Sequence, residues 1–212
     1  MVYARNVDGT TLTFSVSGQL WNRSLVMLDS PTGSLWSHIL GEAIEGKLKG
    51  KRLAVLPSEM TTWADWRRRH PKTTLLALSR TSRNYTRDFY KRRPAAFVYG
   101  WMAAGRAFHV PLPKLTLQRA INGSCNGVAL LAVYDPESTG ARLFSRTVDG
   151  RTLDFEPHAD GRLRDRQTGS VWDPAAGTAI EGDLAGKRLA PAPGLMSYAR
   201  AWRTFHPGSK EP

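Results

Sequence analysis

The chain has 212 residues, 41% of them hydrophobic, with 30 Lys+Arg against 18 Asp+Glu and a formal net charge of +12. Such a length can bury roughly 70% of the unfolded surface in one globular body without a metal or disulfide, and the single cysteine, Cys125, excludes an intramolecular disulfide and any cysteine-rich zinc site. No basic stretch leads into an apolar run at the N-terminus, and the apolar stretch 128–134 falls far short of the ~20 residues that span a bilayer, so a soluble protein in a reducing, cytoplasmic compartment is expected.

In chain order, Val7-Asp8-Gly9-Thr10 is a hairpin signal, because Asp-Gly adopts the positive φ angles of a tight primed turn. Short strands are expected at 25–28, 35–39, 43–45 and 52–56, each bounded by glycine or proline. The period then changes: Met60, Trp63 and Trp66 recur every three residues after Ser58, a candidate N-cap. A short helix is expected there, stopped at His70-Pro71 because the residue before proline is pushed out of helical geometry. Residues 74–78 read as a strand, and 79–95 as a polar, basic surface loop. Strands at 97–101 and 106–110 form a hairpin, 112–121 holds a helical turn, and 127–134 is apolar enough for a central strand.

Much of this occurs twice. At a constant offset of 136, 21 of the 40 positions in 32–71 are identical in 168–207, including Thr-Gly-Ser-x-Trp, Ala-Ile-Glu-Gly, Gly-Lys-Arg-Leu-Ala and the closing Trp-Arg…His-Pro. Upstream, Arg5, Val7-Asp8-Gly9, Thr11-Leu12 and Phe14 match Arg146, Val148-Asp149-Gly150, Thr152-Leu153 and Phe155 at an offset of 141. Two long copies are not a solenoid, which needs three or more short units. The expected fold is mainly β (β-rich α+β): two pseudo-symmetric halves of short antiparallel strands, each ending in a short helix, packed as one body. The divisions are half A at 1–71, a unique segment at 72–141, half B at 142–207 and a tail at 208–212. Features shared by both halves serve folding; function is to be sought where they differ.

The largest difference is charge. Between 67 and 93 stand ten basic residues, Arg67, Arg68, Arg69, Lys72, Arg80, Arg83, Arg87, Lys91, Arg92 and Arg93, against the one acid Asp88, a net +9. The copy puts Thr204 and Phe205 where Arg68 and Arg69 stand. Uncompensated charge at this density repels itself and is relieved by an anionic partner.

Reactive constellations are sparse. Cys125, in the turn-like Asn122–Gly127 stretch, lacks a neighbouring base and is read as structural. The five histidines show no metal-ligand spacing. His70 and His206, duplicated, are assigned a folding role as cations at helix C-termini. Glu45 and Glu181, also duplicated, are read as turn carboxylates accepting backbone hydrogen bonds near Gly46 and Gly182, in preference to an acid–base pair. Trp63 and Trp66 are assigned to packing. No catalytic residue, metal site or cofactor is assigned.

The segments Leu25–Met27, Thr32–Trp36, Gly41–Gly46, the Thr62–Trp63…His70–Pro71 helix end and 142–155 together resemble a prokaryotic family catalogued as domain of unknown function 3179, over nearly the whole chain. The family typically carries a Cys-Pro-x-Cys-Gly segment just before the position of Met1, which implies thiol redox or metal chemistry. Cys125 does not match it, so no redox residue carries over. The expected function is therefore a non-catalytic binding or accessory subunit. It docks through the basic residues onto an acidic protein partner or larger complex, with the anionic face of the cytoplasmic membrane as an alternative surface. A redox or metal-dependent enzyme with its thiols upstream is a second reading. A nucleic-acid binder is third, since no reading motif is present.

Overall fold

A computed structural model describes residues 1–75 and 93–212. The Asp-Gly turns form as expected: Asp8 and Gly9 have φ of 49° and 80°, Asp149 and Gly150 of 48° and 77°, and each joins a two-residue hairpin. Each half then builds a four-stranded antiparallel meander. In half A it runs Phe14–Trp21, Ser24–Asp29, Leu35–Ser37, Glu42–Glu45; in half B, Phe155–Pro157, Leu163–Asp165, Val171–Asp173, Thr178–Glu181. The long first strand, Phe14–Trp21, was not expected as a strand, and most of its residues are exposed.

The Thr-Gly-Ser-x-Trp repeat closes each meander around a buried carboxylate. Asp29 accepts hydrogen bonds from the Thr32 amide (2.7 Å), the Thr32 hydroxyl (2.8 Å) and the Trp36 indole N–H (2.8 Å). Asp165 does the same with Thr168 (2.6 and 2.9 Å) and Trp172 (2.9 Å). Both aspartates and both tryptophans are fully buried. Burial would raise Asp29, but the bonds from Trp36, Thr32 and Ser34 outweigh it and hold its carboxyl below the ordinary value. Ser34 and Ser170 in turn accept the amides of Leu48 and Leu184, both at 3.1 Å. The turn carboxylates are therefore Asp29 and Asp165, three residues upstream of the repeated Thr. Glu45 and Glu181 do not fill that role: both are exposed, and Glu181 pairs with Arg162 at 2.7 Å.

Between the halves, the unique segment contributes most of the largest core. Strands Ala120–Cys125, Val128–Asp135, Gly140–Ser145 and Pro191–Ala192 form one sheet; Arg106–Pro111, Phe97–Ala103 and Leu195–Tyr198 form another. Val128–Asp135 is buried on both faces, with Leu130, Ala132 and Tyr134 in one hydrophobic cluster and Leu131 and Val133 in a second. That double burial accounts for its continuous apolar run. Helix α1 is Trp63–Arg69, α2 is Leu112–Gln118 and α3 is Ala199–Phe205. The helices of the repeats start later than their periodicity implies. Thr62 rather than Ser58 caps α1, accepting the Asp65 amide at 3.3 Å, and Met196 lies in a strand ahead of α3. Trp63 is 41% exposed, whereas Ala199 at the matching position is buried. Cys125 ends a strand and is fully buried, so the turn is Asn126-Gly127 alone. Of the expected strand at 74–78, residues 76–78 lie outside the described residues, as does most of the loop at 79–95; Pro94–Ala96 is a short 3-10 helix.

Candidate functional site

The two halves exchange their terminal helices. The α3 end of half B meets half A, with Phe205 edge-on to Trp21 at 5.1 Å and His206 sharing a cleft with Leu40 and Arg52. The α1 end of half A meets half B, with Trp66 and His70 sharing a cleft with Ala176 and Arg188. The two clefts are pseudo-symmetric copies: Trp66, His70, Ala176 and Arg188 in one stand where Trp202, His206, Leu40 and Arg52 stand in the other.

Their shared features are structural. In each, the histidine lies against the tryptophan four residues earlier, with ring centroids 4.1 Å apart in half A and 4.2 Å in half B. The indole N–H is donated to Thr73 (3.1 Å) in one and Ser209 (2.8 Å) in the other. Each histidine is the C-cap residue of its helix and packs a tilted ring on that tryptophan. Burial, with the Arg52 charge beside it, lowers the His206 value, which favours the neutral ring. Ser209 also lies 2.8 Å from the His109 imidazole, and its hydroxyl accepts the Trp202 indole N–H as that of Thr73 accepts Trp66 in half A.

What differs is the lining. In the half B helix cleft, Met1, Leu195 and Phe205 are apolar; in the other, the matching positions hold Arg142, Glu59 and Arg69. Asp65, where half B has Ala201, completes an ionic network that ties α1 to strand Gly140–Ser145. Arg69 donates to Glu59 and Asp65, both at 2.7 Å, and Arg68 donates to Asp65 at 2.6 Å. Arg142, 5% exposed, donates to Glu59 and lies 3.4 Å from Asp65 and 3.6 Å from Asp135. Its Nη1 has no hydrogen-bond partner among the described residues. Burial would raise the Asp65 carboxyl, but hydrogen bonds from Arg69, Thr61 and Arg68 and the Arg69 charge hold it down to about 2. A carboxylate held this low is ionised near pH 7 and poorly matched to general acid or base work there. The network joins α1 to strand Gly140–Ser145 across the two halves.

The candidate docking residues separate into three groups. Arg68 and Arg69 are matched by local carboxylates, and Arg69 points into the network rather than outward. Arg67, Lys72 and Arg93 are exposed and form no ion pair among the described residues. Arg80, Arg83, Arg87, Lys91 and Arg92 lie outside the described residues. Burial pushes the Cys125 thiol up, with the nearby Trp101 indole and Arg146 charge offsetting only part, so this thiol stays protonated. Among the described residues no three His, Cys, Asp or Glu side chains converge in a way that could hold a metal ion, and no helix is long and apolar enough to cross a membrane. Sequence reading missed the Glu59–Asp65–Arg69–Arg142 network. Its signal was present at the duplicated positions where charge faces Leu195, Ala201 and Phe205.

Fold and site thus define a duplicated antiparallel β protein with exchanged helices and one charged cleft between its halves. The sequence model of a family described as "Protein of unknown function (DUF3179)" matches twice, over residues 1–93 and 91–209, and the chain belongs to that family. No curated protein and no solved structure matches it.

Proposed function

We propose that this protein is a non-catalytic binding subunit that docks through a basic face at the α1 end of half A onto an acidic protein surface. One observation carries the reading: Arg67, Lys72 and Arg93 are exposed without a carboxylate partner among the described residues, in the net +9 segment that joins half A to the unique segment and has no equivalent after half B. Lys72 stands where half B has Gly208, so this charge is not needed for the shared fold. Solvated cations of this kind gain most from a partner of opposite potential, which accelerates encounter and fixes orientation. The internal pairing of Arg68 and Arg69 narrows the face and makes it specific to the residues left free.

Native mass spectrometry of untagged protein from its source cell is expected to find a stoichiometric acidic partner released by moderate salt. Replacing Arg67, Lys72 and Arg93 together by Glu should weaken that association roughly tenfold or more, mainly through slower encounter. A complex that survives both the triple replacement and high salt, or a monomer indifferent to salt, would overturn the reading.

A further inference from the structure

We infer that the cleft beneath α1 is a binding site for a small organic oxyanion with an apolar body, independent of the protein-docking face. The cleft has a volume of ≈590 Å³, within the range of small-molecule sites. Its walls are apolar over Leu143, Phe144, Ala175, Ala176, Leu189 and Pro191.

Its polar groups are donors in excess. In half A, Arg52 pairs with Glu42 at 2.6 Å across neighbouring strands. Arg188 occupies the same cross-strand position in half B, but the facing residue is Thr178, so Arg188 is exposed with no ion pair among the described residues. On the same lining, Arg142 is 5% exposed, and its Nη1 makes no hydrogen bond among the described residues but lies 3.6 Å from Asp135. Of the carboxylates there, Glu59 is paired with Arg69 and Arg142, and Asp173 accepts the Ala175 amide at 2.8 Å. A guanidinium released from its partner suits a carboxylate or phosphate, whose oxygens accept two parallel hydrogen bonds. The other cleft, where Arg52 keeps its Glu42 and the lining is apolar, provides a built-in control.

Calorimetric titration of the full chain with phenylacetate, phenyl phosphate and neutral benzyl alcohol tests the site. Saturable one-to-one binding of either anion is expected, with benzyl alcohol at least about tenfold weaker. Binding of phenylacetate alone assigns a carboxylate head, and of phenyl phosphate alone a phosphate head. Arg188→Ala should weaken binding about tenfold or more. Thr178→Glu, which recreates the Arg52–Glu42 pair of half A, should do the same without loss of thermal stability, and Arg52→Ala should leave binding unchanged. Failure of both anions to bind, benzyl alcohol binding as tightly, or indifference to both Arg188→Ala and Thr178→Glu would overturn the proposal. None of these variants touches Arg67, Lys72 or Arg93, so the outcome is separable from that of the docking face.

Discussion

Asp65 shows how one carboxylate joins two halves. It accepts from Thr61 on its own arm and from Arg68 and Arg69 on its own helix, and faces Arg142 from the opposite half. Asp65→Asn leaves Arg69 and Arg142 buried and short of counter-charge, and the cost of breaking such a group is roughly 3 kcal/mol. A lower urea midpoint at unchanged slope is the expected signature. The pH dependence follows from the same group. Its folded-state value is depressed from 3.8 to about 2, so its stabilisation is complete above 3.8 and is lost as pH falls toward about 2. The amount is on the order of 2 kcal/mol. Acid unfolding followed by tryptophan fluorescence should therefore steepen in that window, and Asp65→Asn should flatten it.

At the scale of the element, the two meanders are closed by glycines of unequal importance. Gly46 has φ of 92°, and a Cβ there would meet the Ser34 Cα at 2.7 Å; Gly182 repeats this against Ser170, with φ of 89° and 2.8 Å. Gly50 has a similar φ of 85° but open space around it. Ala at Gly50 should cost only the left-handed backbone penalty, about 1 kcal/mol, whereas Ala at Gly46 should cost at least about twice that, because the Ser34 backbone cannot yield. Thermal unfolding of the two variants side by side checks the difference. Elements with their own local chemistry were legible in advance: the Asp-Gly hairpins, the Gly- and Pro-bounded strands, and the helix ends at His-Pro. Phe14–Trp21 was not assigned: Phe14-Ser15-Val16-Ser17 alternates, but Gly18 interrupts the pattern, and Val16 and Leu20 are each 70% exposed rather than buried. The late helix starts were not legible either, since Met60 and Met196 fit the helical period while the backbone around them is still extended.

For the molecule as a whole, exchange of helices makes each half a part of the other's packing. Trp202 also packs on the unique segment, where Gly100 lies so close that a Cβ would sit 2.6 Å from the indole, and Phe205 reaches Trp21 of half A. Unfolding should be a single cooperative event, with near- and far-ultraviolet circular dichroism changing together. Phe205→Ala should speed amide exchange in the Phe14–Trp21 and Ser24–Asp29 hairpin as well as around α3; faster exchange confined to α3 would show the halves to be independent.

The sequence by itself determined the duplication, the β-rich class, the family and the one-sided charge, because each is carried by residue identity, local period or turn chemistry. Only the tertiary structure decided that the helices cross between halves, that Arg69 turns inward while Arg67 and Lys72 stay outside, and that Arg188 loses its carboxylate where Thr178 replaces Glu42. The crossing depends on side chains that meet far apart in the chain, Asp65 with Arg142 and Trp21 with Phe205, and the other two on how the folded backbone orients neighbours along it; no local pattern of charge or hydrophobicity encodes either.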